Sequence, residues 1–173
     1  MGKYNLTWRD LTLRDVKTYI FALFKAFIPK KKIKNLDQLE NFIQTKSAWV
    51  TQVTLYGYLK TRMGLKYTLM FTDKVFLESV DKAKWNIYTS SLSDCTLFAY
   101  SYLSLNKNIN TENVKKTYFD ILEAERSNGL PADIITKSQS SFEQRLKEIN
   151  WKTYCNENPF KLSGLALYKW SPI

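Results

Sequence analysis

The run Trp85-Asn-Ile-Tyr-Thr-Ser-Ser-Leu-Ser-Asp-Cys-Thr-Leu-Phe-Ala-Tyr-Ser-Tyr-Leu-Ser-Leu105 holds one formal charge, Asp94, in twenty-one residues. A segment that apolar on every side has to be surrounded by protein. At 3.6 residues per turn Val80, Ala83, Ile87, Ser91, Asp94, Phe98 and Leu105 share one stripe, with Leu92, Cys95, Ala99 and Tyr102 beside it. The reading is a central helix of roughly thirty residues, opened by Thr72-Asp73 as cap and early negative charge and closed by the polar Asn106-Lys107-Asn108. Five serines, two threonines, Asn86 and Asp94 within the run favour a buried core helix over a membrane span.

Working outward, a second long helix is expected from Asn35 to Met63, with Asn35 as its cap, Asp37 and Glu40 in the first turns and Gly64 at its end. Leu39, Phe42, Ile43, Trp49, Val50, Val53 and Tyr56 read as its inward face. Gly57 inside it should cost about 1 kcal/mol against Ala. A close helix crossing against Ser90, Ser91 and Ser93 would compensate, and a merely tolerated glycine is the plainer alternative. Residues 65–71 are too apolar for a solvent loop and should fold over one end of the core. Further helices follow over Thr111–Ser127, with Val114, Tyr118, Ile121 and Leu122 inward, and from between Asp133 and Ser138 to about Tyr154. Phe160–Ile173 reads as a short helix or extended tail. Five Gly and four Pro in 173 residues leave few turn signals. The fold class is all-α: a single bundle of about five helices around two long central ones, with residues 35–173 as the bundle domain.

Residues 1–34 stand apart. The first thirty-five residues carry +7 of the chain's +10 net charge, so the body is nearly neutral and the N-terminal arm is basic. Leu11–Ile28 reads as an amphipathic helix with Leu13, Val16, Ile20, Leu23, Phe24 and Phe27 on one face. Pro29 ends it, and Lys30, Lys31, Lys32 and Lys34 form a basic connector. This arm packs on its own bundle, docks on another protein, or lies in the plane of an anionic membrane with the lysines on lipid phosphates.

The chain contains no histidine, which removes the usual general base, the usual activator of Ser or Cys and the commonest metal ligand. Cys95 and Cys155 have neither a zinc spacing nor a disulfide framework around them, and a reducing cytoplasm is the simplest setting. Ser79/Lys82, Ser104/Lys107 and Tyr56-Gly-Tyr-Leu-Lys60 match catalytic patterns no more often than chance allows. No catalytic residue, metal or cofactor is expected. Asp94 is the acid the pattern isolates, and a buried carboxylate needs a partner. Lys60 or Arg62 at the end of the second helix would provide one by an antiparallel crossing; a ligand-holding or switch role is the alternative.

Thr54-Leu-Tyr-Gly-Tyr-Leu-Lys-Thr-Arg-Met-Gly64, within a longer run from Ser47 and followed by Met70-Phe71 and Ala83-Lys84-Trp85, resembles a group of small alphaproteobacterial helical proteins of unestablished function. Some of these carry an automatic esterase label. That label implies a serine hydrolase, whereas this chain has neither a nucleophile elbow nor a histidine. The residues point to a non-enzymatic interaction or adaptor protein, peripheral on an anionic inner membrane or on a membrane-bound complex. Eleven Tyr, five Trp and the basic excess keep a nucleic-acid-binding module as the first alternative. An unrecognised enzyme is the second.

Overall fold

The computed structural model describes residues 32–105 and 110–172. The chain divides into two units, Met1–Lys34 and Asn35–Ile173, and the second contains every helix described. The helix expected over Leu11–Ile28 lies outside the described residues. Among the described residues there are five α-helices and no strand: α1 (Leu36–Met63), α2 (Lys74–Ser104), α3 (Thr111–Arg126), α4 (Ala132–Glu148) and α5 (Lys161–Trp170). The two long helices pack together centrally. None of these helices is long and apolar enough to cross a membrane.

The ends of α1 and α2 are written locally. Asn35 Oδ1 accepts the Gln38 N–H at 3.0 Å, and Asp73 Oδ1 accepts Val75 and Phe76 N–H at 2.8 and 3.2 Å, so each helix starts on a side-chain cap. Gly64, at φ 58°, closes α1 in the left-handed region where a side chain is disfavoured. Residues 64–72 form a 3₁₀ turn that lays Met70 and Phe71 over one end of the core.

α2 runs through the middle of the unit and buries two clusters. Its first half (Phe76, Val80, Ala83, Ile87) meets Leu55 and Leu59 of α1 and Ala166 of α5. Trp85, Tyr88, Leu92, Leu97 and Tyr100 meet Leu39 and Ile43 of α1, Val114, Tyr118, Ile121 and Leu122 of α3, and Ile135 and Phe142 of α4. Tyr118 stacks on Phe142 with ring centroids 3.9 Å apart. Fully buried leucines such as Leu59 and Leu92 would each cost about 2–5 kcal/mol on truncation to Ala.

The inward face of α1 differs from the expected one. Its buried residues are Leu39, Ile43, Ser47, Thr51, Leu55 and Leu59, a single row at four-residue spacing. Packing along one such inclined ridge leaves the seven-residue row outside. Phe42, Trp49, Val53 and Tyr56 are therefore exposed. The two patterns overlap in composition, so apolarity alone did not say which row turns inward.

The fourth helix also ends earlier than expected. Asn150 stops it by accepting the Lys152 N–H on its side chain at 3.2 Å and the Tyr154 N–H on its carbonyl at 2.9 Å. The turn presents the Trp151 carbonyl to the hydroxyls of Ser101 and Ser104, at 2.7 and 2.8 Å.

Candidate functional site

Asp94 is wholly buried on α2 and stands at the centre of a polar node. Its Oδ1 accepts Arg145 Nη2 from α4 at 2.8 Å, and its Oδ2 accepts the backbone N–H of Ser163 at 2.8 Å. Ser163 lies in the first turn of α5, a helix that has no side-chain cap of its own. The carboxylate therefore caps α5 from a distant helix, where negative charge also suits the dipole. Arg145 Nη2 donates further to Tyr154 Oη at 2.7 Å, Arg145 Nη1 donates to Ser93 Oγ, and Tyr154 Oη donates to the Pro159 carbonyl at 3.0 Å. Burial pushes the Asp94 carboxyl above the usual aspartate range, while the Ser163 N–H and Arg145 draw it back.

The cation is thus Arg145 rather than Lys60 or Arg62. Asp94 lies twenty residues into α2, about 30 Å along its axis. Lys60 and Arg62 occupy the last turn of α1, whose neighbours are Phe76 to Ile87 at the start of α2, and both are exposed. Arg145, Tyr154 and Ser163 were not among the residues singled out in the sequence, and no local signal marks them.

A second buried acid was also missed. Glu125, in the last turn of α3, accepts Gln44 Nε2 of α1 at 2.8 Å and Tyr88 Oη of α2 at 3.0 Å on Oε1, and Asn128 Nδ2 at 2.8 Å on Oε2. Burial first, and the Glu125 charge second, push the Tyr88 hydroxyl strongly up.

Gly57 is not at a close crossing. It is exposed, and a Cβ built there meets nothing within 4 Å. The small residues of the α1–α2 contact are Ser47 and Thr51, with Ser47 reaching the Cys95 thiol, which burial holds above its usual range. Ser90 and Ser93 face away from this contact, into a cleft shared with α4 and α5. Ser91 is buried, and its hydroxyl has no hydrogen-bond partner among the described residues.

Two surface features remain. The outer row of α1 exposes Phe42 (45%), Trp49 (58%), Val53 (52%) and Tyr56 (43%). Lys46 lies over both the Phe42 and Trp49 rings at 5.8 and 5.9 Å, Lys60 continues the row, and no Asp or Glu occurs between Asn41 and Thr72. In the N-terminal arm, Leu13 to Lys31 lie outside the described residues; Lys32 and Lys34, just ahead of α1, are exposed. The other feature is a cleft of about 270 Å³ between α2, α4 and α5, which opens past Asn86, Lys137 and Trp170 into a wider one of about 660 Å³. Among the described residues, no three Cys, Asp or Glu side chains are placed to share a metal ion. Comparison of the chain with protein families, curated proteins and solved structures found no match.

Proposed function

We propose that the protein is a non-enzymatic interaction or adaptor protein that attaches to an anionic membrane surface through the outer row of α1. The observation that carries this reading is the row itself. Three aromatic rings at seven-residue spacing and Val53 stand in solvent, interleaved with Lys46 and Lys60 and free of carboxylates. A contiguous exposed apolar strip along one helix face marks a docking surface. Aromatic side chains suit the headgroup region, and each lysine near an anionic surface adds about 1 kcal/mol. Lys32 and Lys34 extend the positive charge beyond the start of α1. The basic arm, with Lys30, Lys31 and the apolar stripe from Leu13 to Phe27, adds a second contact of the same character in this reading.

Sedimentation with vesicles of phosphatidylcholine and phosphatidylglycerol tests it. The full chain should co-sediment at low salt and be released as salt rises, because the attraction is screened over about 8 Å at physiological ionic strength. Trp49→Ser combined with Tyr56→Ser should lower the partition coefficient by more than about tenfold. Lys46→Gln with Lys60→Gln should weaken binding and flatten its salt dependence. A full chain that stays in the supernatant at low salt ends the proposal. Tight binding of a single-stranded oligonucleotide that displaces the protein from vesicles would move α1 to the nucleic-acid reading instead.

A further inference from the structure

The cleft between α2, α4 and α5 is sorted by chemistry in a way that neither the core nor the α1 surface requires. One wall is apolar, formed on α5 by Leu162, Leu165, Ala166 and Trp170. The opposite wall is polar, with Asn86, Thr89, Ser90 and Ser93 from α2 and Lys137, Ser138 and Ser141 from α4. Lys137, Ser138 and Ser141 fall within little more than one turn, so an ammonium and two hydroxyls share a helix face. The Ser141 hydroxyl makes no hydrogen bond among the described residues.

The charges are sorted as well. Lys137 and Lys169 are the ionised side chains lining the smaller cleft, and they stand on different helices. Neither belongs to an ion pair among the described residues. Lys169 lies over the Trp170 ring at 5.4 Å. Of the nearby carboxylates, Glu78, Asp81 and Asp133 line the wider cleft beyond Asn86, Lys137 and Trp170, and Asp94 is wholly buried in its pair with Arg145. Two ammoniums without an ion-pair partner among the described residues thus line a cleft whose lining holds hydroxyls and no carboxylate. Its volume of about 270 Å³ falls just below the roughly 300–1,000 Å³ of drug-sized ligand pockets, which suits a small ligand.

We propose that this cleft binds a small phosphomonoester whose phosphate bridges Lys137 and Lys169 and whose apolar or planar body rests against Leu165 and Trp170. A phosphomonoester supplies three acceptor oxygens and close to two negative charges at neutral pH, enough to meet two ammoniums and the Ser141 hydroxyl together, the Ser138 hydroxyl being engaged with Tyr118. A carboxylate has one charge and two oxygens and leaves one side unmet. The apolar wall gives the ester's body a place that inorganic phosphate would leave in contact with water. This site is independent of the α1 surface, and its ligand can come from solution or from a lipid headgroup.

Residue-resolved amide shifts of the full chain test it, with phenyl phosphate, inorganic phosphate and phenol as separate probes at constant ionic strength. Phenyl phosphate should saturate in the low-millimolar range or tighter, bind more tightly than inorganic phosphate, and shift Ser90, Ser138, Ser141 and Lys169. Lys137→Gln with Lys169→Gln, both exposed positions, should weaken it by at least about tenfold while the rest of the spectrum is unchanged. Trp170→Leu should bring phenyl phosphate down to the level of inorganic phosphate. A fourth probe, soluble short-chain phosphatidic acid, separates the sources: tighter binding than phenyl phosphate assigns a lipid headgroup, weaker binding a free metabolite. The proposal is overturned if no probe saturates at these residues. It is equally overturned if the shifts spread over surface lysines and survive the double lysine substitution.

Discussion

Among the described residues two carboxylates are buried, Asp94 and Glu125, and they are held in opposite ways. Asp94 faces a guanidinium and the N-terminal backbone of α5; Glu125 faces three neutral donors, from Gln44, Tyr88 and Asn128. Each joins three helices: α2, α4 and α5 at Asp94, and α1, α2 and α3 at Glu125. The difference lies in what each would leave behind. Removing Asp94 leaves a largely buried cation and an uncapped helix, whereas removing Glu125 leaves neutral groups, one of which, Asn128, already reaches solvent. The cost of losing a buried acid is set by its partners more than by its own burial.

The largest expected effect follows from that asymmetry. Asp94→Ala strands Arg145 and the Ser163 N–H, and should cost about 3–5 kcal/mol in urea unfolding. Amide exchange should quicken first in α5, because its first turn loses its acceptor. Glu125→Ala should cost less, about 1–3 kcal/mol, the penalty of leaving neutral donors unsatisfied. Equal losses from the two substitutions would break the distinction between the nodes.

The asymmetry also explains which parts of the molecule were legible in the sequence. The helices, the Asn35 cap, the Gly64 stop and the inward Val114, Tyr118, Ile121 and Leu122 are local signals, and they read directly from spacing and capping chemistry. That Asp94 would be buried was legible too, because it is the lone charge in an apolar run. Its partner was not, since Arg145 and Ser163 lie 51 and 69 positions away and nothing near them in sequence marks the pairing. The choice of Lys60 or Arg62 overlooked a length: about 30 Å of helix separates the start of α2 from Asp94. The exposed face of α1 was hidden for another reason. Two apolar rows fit its periodicity, and only the ridge that α2 accepts decides between them.

A smaller effect separates the nodes in alkali. Burial pushes Tyr154 up to about 12, although Arg145 draws it the other way, against about 10 in an unfolded chain. A folded value above the unfolded one means that the contribution to stability is complete below about pH 10 and is lost as pH rises through about 12. Tyr88, in the Glu125 node, is raised further and should give way later. The urea midpoint should therefore fall above about pH 10, after a smaller decline from about pH 8.5 contributed by the raised Cys95 thiol. Tyr154→Phe should start from a lower midpoint and decline less steeply over that range. An unchanged slope would show that Tyr154 ionisation is not coupled to the Asp94 node.

The smallest expected effect is that of Glu125→Gln, and it isolates charge from hydrogen bonding. Glu125 Oε1 accepts both Gln44 and Tyr88, and an amide oxygen in the same place keeps both bonds. The new NH2 group falls on the Oε2 side, opposite Asn128 Nδ2, a donor facing a donor. Asn128 is exposed and can turn to water, so the clash is relieved at little cost. The net change should lie within about 1 kcal/mol of the unaltered protein. Tyr88 provides an independent readout, because part of its upward shift comes from the Glu125 charge; without that charge its value falls, and tyrosinate absorbance should rise at lower pH. A loss from Glu125→Gln as large as that from Asp94→Ala would mean that the charge itself, and not the oxygen acceptor, holds α1, α2 and α3 together.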